Sequence, residues 1–290
     1  MIKELISLLE INHRINISDI GAAWINETPT YSNLIWKSDL TKLFLFDGDK
    51  RQISTLKKQY GKKAVISECF LGDGQEHTAY LCHPNSGMTS LLKPNKEVLS
   101  FFNGLSKLGQ VLRTKQIQTK KLDDIDDIDN LHFVKLDVQG SELIVLENGL
   151  SKLKQCVAVQ LEVSFVPLYE GQATFGEIDI FMRQLGFIPH RFQRLKKWSI
   201  TPTIRNASIY KPFNQLLEAD LVYIRDPFKL SKIRPEEIKS LALFSHLLFN
   251  SPDLFIYCVE RLITMNLLKE GVKEKYMALL QKSSNDSLKN

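Results

Sequence analysis

The segment LHFVKLDVQGSELIVLENG (residues 131–149) decides how the chain is organised. Its apolar run ends in the polar cluster DVQG (residues 137–140), and apolar residues then recur at helical spacing at Leu143, Leu146 and Leu150. This pattern predicts a buried parallel strand whose carboxyl end presents acidic and amide groups just before a helix. Ligands bind at that edge of open α/β sheets. Other candidate residues can therefore be ranked by whether they reach the same edge.

The composition is that of an ordinary globular protein. Of 290 residues, 43% are hydrophobic and 24% are charged, and the net charge is only +5. A surplus this small does not indicate a nucleic-acid-binding protein. The four cysteines are far apart and form no CxxC pair, so neither a disulfide framework nor a metal site is expected. With no apolar run near the roughly 18 residues of a membrane span and no signal peptide, a cytoplasmic location is predicted.

Strand-like and helix-like segments alternate along most of the chain. Residues 15–20, 42–47, 64–70, 131–136, 157–169, 187–192 and 219–226 read as strands, with an extra strand over 77–82. Such alternation favours a mainly parallel α/β sheet. After Pro227 the pattern becomes helical, with Pro235 and Pro252 at helix starts. We therefore predict a domain of residues 1–228 and a helical C-terminal extension of residues 229–290.

Two stretches show no regular pattern. Residues 84–130 are long enough to be functional or to carry small elements of their own, and residues 194–213 look like a polar loop. The segment RFQRLKKW (residues 191–198) mixes basic and aromatic residues, as grooves for single-stranded nucleic acid do. One such cluster is usually a solvated loop, and it could equally contact an anionic acceptor such as a sugar phosphate.

Small and acidic residues at the predicted strand ends suit a nucleoside ligand. Gly21 follows the first strand, Asp47 ends the second, and Asp137 follows the segment quoted above. The first turn is not G-x-G-x-x-G, and Trp24 and Ile25 would obstruct a pyrophosphate. A nicotinamide oxidoreductase is therefore disfavoured. S-adenosyl-L-methionine (SAM) has no pyrophosphate, so its binding does not require the additional glycines of that turn.

Six blocks of the sequence form a recognisable series. In chain order they are DIGA (19–22), FDGD (46–49), NSGMTSLLKPN (85–95), VKLDVQGSELIVLENG (134–149), LEVSFVPLYEGQATFGEIDIFMRQLGF (161–187) and NQLLEADLVYIRD (214–226). The series resembles the FkbM-type SAM-dependent methyltransferase family, and the LDVQGSE and EVSFVPLYEGQ motifs are the most distinctive. This similarity implies a Rossmann-like class I methyltransferase fold, with a seven-stranded, mainly parallel sheet, an antiparallel last strand and SAM as the cofactor.

The resemblance assigns cofactor-binding roles to five positions. Asp19 and Gly21 match the first SAM motif, beside the methionine portion. Asp47 matches the acidic residue expected to bind the ribose hydroxyls, and Asp73 lies where the adenine edge is often approached. Gln139 belongs to the motif after the fourth strand of the family's sheet.

Catalysis of methyl transfer is largely alignment, with a base needed if the nucleophile is a hydroxyl. We expect Asp137 nearest the reacting methyl group, positioning the acceptor or the amino group of SAM. His83 is the first candidate for the base, and Glu162 is the second. Each has a structural alternative. Asp137 and Glu142 could serve as helix-start carboxylates, Glu162 as a satisfied buried acid, and His83 as an ordinary loop histidine.

The sequence thus predicts a SAM-dependent methyltransferase acting on a hydroxyl of a sugar, glycan or small natural product. No nucleic-acid partner and no membrane span are expected, and the C-terminal helices could mediate homo-oligomerisation. The alternative is a catalytically silent methyltransferase-like domain that serves as a binding or scaffold module. Two departures from the family pattern support this alternative: Ile25 near a position where glycine is common, and Asp47-Gly48 in place of the usual Glu-Pro pair.

Overall fold

The computed structural model describes residues 1–23 and 28–287; Trp24 and Ile25, which shaped the interpretation of the first turn, lie outside these ranges. The strands are β1 (Ile15–Ile20), β2 (Thr41–Asp47), β3 (Ala64–Glu68), β4 (Glu76–Leu81), β5 (Arg113–Gln118), β6 (Phe133–Leu136), β7 (Ala158–Ser164), β8 (Phe187–Lys197) and β9 (Leu216–Arg225). The helices are α1 (Ile2–Leu8), α2 (Ser32–Lys37), α3 (Lys50–Tyr60), α4 (Lys96–Phe101), α5 (Leu105–Leu108), α6 (Glu142–Glu147), α7 (Leu150–Leu153), α8 (Phe175–Gln184), α9 (Pro235–Leu247), α10 (Pro252–Thr264) and α11 (Val272–Ser287).

The main sheet has seven strands in the order β3-β2-β1-β6-β7-β9-β8. All neighbouring pairs are parallel except those of β9, which runs antiparallel to both β7 and β8. The predicted Rossmann-like class I fold with an antiparallel last strand is confirmed. A second sheet pairs β4 with β5 in antiparallel fashion. Strand β4 corresponds to the extra strand predicted over residues 77–82, whereas β5 lies within the stretch that looked irregular in sequence.

Alternation along the strands divides the core into two layers. Leu43 and Leu45 of β2 face one layer, whereas Phe44 and Phe46 face the other, because successive side chains of a strand point to opposite faces. The first layer is completed by α1 and the C-terminal helices, and the second by α6 and α8. Both faces of the sheet are thus covered, as parallel sheets require.

The C-terminal helices close one face of the sheet. Phe244 of α9 and Phe255 of α10 are fully buried in the same core layer as Ile15, and the ring of Phe244 contacts that of Phe133 in β6. The division of the chain at residue 229 and the proposed homo-oligomerisation through these helices stay predictions.

Strand β8 is longer than its sequence pattern indicated. Residues 194–197 were expected in a loop, and this prediction is wrong because backbone pairing with β9 continues through irregularities to Lys196 and Lys197. The extension carries the basic end of β8 to the same edge as the ends of β6 and β7.

Residues 1–23 and 28–287 contain neither a membrane-spanning helix nor a cluster of metal-binding side chains. No helix there is long and apolar enough to cross a membrane. The same residues contain no group of three or more His, Cys, Asp and Glu side chains that could hold a metal ion.

Candidate active-site cleft

A cleft of about 1010 Å³ lies at the carboxyl edge of the parallel strands. Six of the eight predicted site residues line it, and they come from β1, β2, β7 and the turns after β1 and β6. The six are Asp19, Gly21, Asp47, Asp137, Gln139 and Glu162.

Gly21 allows two chain segments to meet at the centre of the cleft. Its backbone is left-handed (φ +78°), and a Cβ atom there would lie 1.7 Å from the carbonyl oxygen of Asp137. The backbone N–H of Asp137 in turn donates to Ile20 O at 2.9 Å. Only glycine permits both the conformation and this approach.

Asp19 is committed to internal contacts. Its Oδ2 accepts a hydrogen bond from the Tyr31 hydroxyl at 2.5 Å, and its Oδ1 pairs with the ammonium of Lys135 at 3.2 Å. Burial opposes the positive charge of Lys135, but the carboxylates of Asp19 and Asp137 outweigh burial and raise the pKa of the ammonium. Asp19 therefore fixes a charged lysine beside Asp137.

Asp47 is a buried carboxyl group at the end of β2. Its Oδ1 accepts a hydrogen bond from the backbone N–H of Asp49 at 2.7 Å. Burial is the main reason that its pKa rises to about 7, with Asp49 and Asp19 adding repulsion. The group therefore changes charge near neutral pH and holds an acceptor oxygen beside the cleft.

Gly48 makes room for an aromatic ring after Asp47. A Cβ atom at this position would lie 2.0 Å from the ring of Phe70. Phe70 and Leu71 line the cleft beside Phe46 and Asp47. The replacement of the family's usual proline by glycine is thus matched by a phenylalanine that packs against the backbone.

Gln139 joins two carboxylates. Its amide nitrogen donates to Asp137 Oδ1 at 2.7 Å and to Glu162 Oε2 at 3.1 Å, while its amide oxygen accepts from the Tyr169 hydroxyl at 3.0 Å. The residue is left-handed (φ 57°), and its backbone oxygen accepts from the Ser90 hydroxyl at 2.6 Å. Both N–H donors of the side-chain amide therefore bind and position the two acids.

Glu162 also belongs to an ion-pair network that joins three strands. Lys196 of β8 lies 3.1 Å from Glu162 Oε1 and also pairs with Glu218 of β9. Burial raises the pKa of Glu162 well above its usual range, Glu218 and Asp137 raise it further, and Lys196 lowers it. Asp220, two residues along β9, lines the same cleft, and burial raises its pKa too.

The residues that β8 and β9 contribute were missed in the sequence. Lys196 is paired directly with Glu218 in the strand register, and Asp220 faces the same edge. The signal that could have found them is the alternation of charges in LEAD (residues 217–220) opposite the basic run of β8. It was hidden because the end of β8 resembled a loop.

Glu142 shapes the turn after β6. Its Oε1 accepts hydrogen bonds from the backbone N–H groups of Val138 and Gly140 at 3.0 and 3.1 Å. Burial raises its pKa to about 7 despite these bonds. Since Glu142 does not line the cleft, its contacts support the conformation that presents Asp137 and Gln139.

Two predicted residues are not brought to the cleft lining. Asp73 accepts from the backbone N–H of Gln75 at 2.9 Å and pairs with His77 Nε2 at 2.8 Å. His83 is exposed, and its Nδ1 accepts from the backbone N–H of Asn85 at 3.2 Å. Both side chains thus stabilise local turns, and we do not place His83 as a base.

Apolar residues form another part of the cleft lining, which we call the apolar wall. Its residues come from the loop before α4, from α5 and from the ends of β7 and β9: Met88, Leu91, Leu105, Leu108, Leu168 and Leu217. The loop is tied to α3, since Arg51 donates to Cys82 O at 3.1 Å and Gln52 donates to Pro84 O at 3.0 Å. We call the part of the cleft at the ends of β1 and β2 its first half, and the part at β6, β7, β8, β9 and the apolar wall its second half.

Comparison with known proteins gives a family match and several distant structures. The sequence profile of the methyltransferase FkbM domain matches residues 32–189, a range that includes Asp47, Asp137, Gln139 and Glu162. No match was found among curated proteins.

Three solved structures illustrate the structural likeness. The first is precorrin-6y C5,15-methyltransferase from Geobacter metallireducens, with 13% identity, TM-score 0.34, and coverage of 77% of this chain and 88% of that chain. Magnesium protoporphyrin IX methyltransferase from Synechocystis, solved with bound SAM, has 11% identity, TM-score 0.33, and coverage of 77% of each chain. A 23S rRNA methyltransferase has 8% identity, TM-score 0.32, and coverage of 84% of this chain and 77% of that chain.

Proposed function

The chain belongs to the FkbM methyltransferase family, whose cofactor is SAM, and on this premise we propose that it methylates a hydroxyl oxygen of a sugar, glycan or small natural product. The observation that carries the proposal is the joining of Asp137 and Glu162 by Gln139 in the half of the cleft beyond β1. Carboxylates accept hydrogen bonds, and hydroxyl groups donate them.

The residues at the ends of β1 and β2 fit a nucleoside cofactor. Asp47 offers acceptor oxygens for ribose hydroxyls, and Phe70 and Leu71 offer apolar surface for the adenine ring. Gly21 keeps the backbone between these groups and Asp137 free of any side chain. Bound SAM supplies an electrophilic methyl group. Asp19 serves as a positioning residue, because its hydrogen bond from Tyr31 and its ion pair with Lys135 hold that lysine beside Asp137.

Glu162 takes the role of general base in this proposal. A buried carboxylate with a raised pKa is a stronger base than an ordinary glutamate. Lys196 holds one of its oxygens and favours the charged form, and Gln139 fixes the other. The base is therefore oriented on both sides before an acceptor binds.

The lining of the second half of the cleft suits a ligand rich in hydroxyl groups. The acids Asp137, Glu162, Glu218 and Asp220 line the cleft together with the cations Lys135, Arg194, Lys196 and Lys197. This balanced set of charged groups offers a hydroxyl group both hydrogen-bond acceptors and hydrogen-bond donors. The apolar wall gives such a ligand a second, non-polar contact, as a sugar ring or an aglycone would require.

The test is transfer of labelled methyl from SAM to a panel of neutral glycosides, sugar phosphates, amines and RNA. We expect methyl ethers of the neutral hydroxyl compounds, and Glu162→Gln should lower kcat by roughly 10²- to 10⁴-fold while SAM still binds. Glu170→Gln is the matched control, because Glu170 is exposed and forms an exposed ion pair with Lys93. Methylation of amines or RNA alone, or full activity of Glu162→Gln at every pH, would overturn the proposal.

A further inference from the structure

Exposed apolar side chains are concentrated beside the mouth of the cleft. Residues 101–112 and 195–213, about a tenth of the chain, carry half of the large apolar side chains that are exposed among the described residues. The first segment contributes Phe101, Leu108, Val111 and Leu112. The second contributes Leu195, Ile204, Ile209, Tyr210 and Phe213, of which Ile204 and Tyr210 are 67% and 64% exposed. We call these two segments the rim.

Hydrogen bonds join the two segments into one surface. The side-chain amide of Asn103 donates to Thr203 O at 2.8 Å and to Ile209 O at 3.1 Å. The indole N–H of Trp198 donates to Asn103 O at 2.8 Å. Leu108 and Leu195 also line the cleft, so the rim is continuous with its wall.

The rim is basic as well as apolar. Residues 98–120 and 191–215, which contain the rim and its flanks, have no aspartate or glutamate, although the chain as a whole has 33 of them against 38 lysines and arginines. The exposed cations in these stretches are Lys107, Arg113, Lys115, Lys120, Arg194, Lys197, Arg205 and Lys211. The acid nearest to the rim in the sequence is Glu97, one helical turn before Phe101. An apolar patch whose surrounding charges are mainly cations is unusual for a surface that faces water alone.

We propose that the rim docks on an anionic lipid bilayer. Apolar side chains that enter the headgroup region and cations that meet anionic lipids are the two contributions that hold interfacial proteins on membranes. A second copy of the chain fits less well, because a two-fold contact would place two cationic surfaces face to face. Most of the exposed apolar residues are Leu, Ile and Val, which cannot stack on bases as nucleic-acid grooves require.

Docking would place the cleft mouth at the membrane surface. Acceptors carried by the bilayer would then reach Glu162 while they remain in the membrane. This consequence rests on the proposed function, whereas the docking itself does not, so binding and methyl transfer can fail separately.

The experiment is flotation of the full chain with vesicles of phosphatidylcholine alone and of phosphatidylcholine with phosphatidylglycerol. We expect binding to the anionic vesicles only, weakened by high salt. Because each cation near an anionic surface strengthens binding roughly fivefold, Arg205→Glu with Lys211→Glu should weaken it by roughly tenfold or more. The triple variant Ile204→Ser, Tyr210→Ser, Phe213→Ser should lose binding to a similar degree.

Matched controls lie elsewhere on the surface. Ile180→Ser removes an apolar side chain that is 61% exposed on α8, and Lys57→Glu with Lys58→Glu reverses two exposed charges of α3. Both should bind as the wild type does, and thermal melts should show all variants folded. Equal binding to neutral vesicles, no binding to either, or unchanged binding by folded rim variants would overturn the proposal. So would RNA binding that the rim variants abolish while vesicle binding is absent.

Discussion

Asp137 and Glu162, carried by the turn after β6 and by its neighbour β7, accept hydrogen bonds from the same amide group of Gln139, at 2.7 and 3.1 Å. A neutral donor is the group that can lie between two acids without adding charge. A glutamate at the same position would bring a third carboxylate and remove both donated bonds. The amide thus sets the spacing of the two acids in the cleft.

Gln139→Glu should lower kcat by about tenfold or more. The new carboxylate would repel those of Asp137 and Glu162, and this repulsion, even when partly screened, is large enough to change the rate by that factor. The KM for SAM should change little, since Asp47 and Phe70 lie in the other half of the cleft. Steady-state kinetics measure both constants. Gln116→Glu, at an exposed position of β5, is the control. Equal kcat values for the two variants would contradict the role of Gln139.

Lys196→Met should move the rising limb of the kcat–pH profile to higher pH. The rate rises with pH because the base acts as its carboxylate, and Lys196 lowers the pKa of Glu162. Without the ammonium, Glu162 holds its proton to higher pH. Lys93→Met, which breaks an exposed pair with Glu170, should leave the profile in place. A profile that does not move in Lys196→Met would rule out Glu162 as the titrating base.

SAM should bind more tightly as pH rises through about 7, because the pKa of Asp47 is raised to about 7 and ribose hydroxyls donate to the charged form. Asp47→Asn should bind SAM more weakly at pH 8 and lose this dependence. Titrations at pH 6 and pH 8 measure both effects. An unchanged pH dependence in Asp47→Asn would place the responsible group elsewhere.

Gly21→Ala should be far more damaging than Gly171→Ala. Both glycines are left-handed, but a Cβ at Gly21 meets Asp137 O at 1.7 Å, whereas one at Gly171 meets nothing within 4 Å. Gly171→Ala should cost about 1–2 kcal/mol of unfolding free energy from conformation alone. Gly21→Ala should cost several kcal/mol, or abolish SAM binding if the turn shifts. Chemical denaturation compares the two, and equal losses would mean that β1 and Asp137 do not meet as described.

His132 should make the protein lose stability in mild acid. It is buried, and its Nδ1 accepts the backbone N–H of Asn16 at 3.2 Å. Burial, with repulsion from His13, lowers its pKa from 6.5 to about 4. The unfolded chain therefore binds more protons between these values, so stability falls as pH drops from 6.5 towards 4, by up to about 3 kcal/mol.

The variant His132→Asn isolates this contribution, because an amide oxygen can accept the same backbone hydrogen bond without titrating. Its free energy of unfolding should fall less between pH 7 and pH 4.5 than that of the wild type. Identical declines for the two proteins would mean that His132 does not drive the acid sensitivity.

The sequence predicted the sheet and most of the cleft because both depend on local patterns. Apolar runs that end in Asp19, Asp47 and Asp137 carry their own strand-end signal, and parallel strands bring such ends to one edge. Lys135 is a cation within an apolar strand, and it forms an ion pair with the carboxylate of Asp19 at the end of the neighbouring strand.

What the sequence did not predict depends on contacts between distant segments. Lys196 reaches the cleft only because β8 pairs with β9 beyond the apparent end of the strand, and Glu218 becomes its partner through that register. His83 has the chemistry of a base, but its Nδ1 is engaged in a local turn and the residue does not line the cleft. Side-chain direction is set by the turn, and residue type alone does not reveal it.

Calorimetric titration with S-adenosylhomocysteine tests the central claim, that this cleft binds the SAM nucleoside for methyl transfer, most directly. We predict saturable binding of one ligand per chain in the micromolar range, weakened by Asp47→Asn and unaffected by Gln116→Glu. No binding by the wild type at millimolar concentration would contradict the account and favour a catalytically silent methyltransferase-like domain.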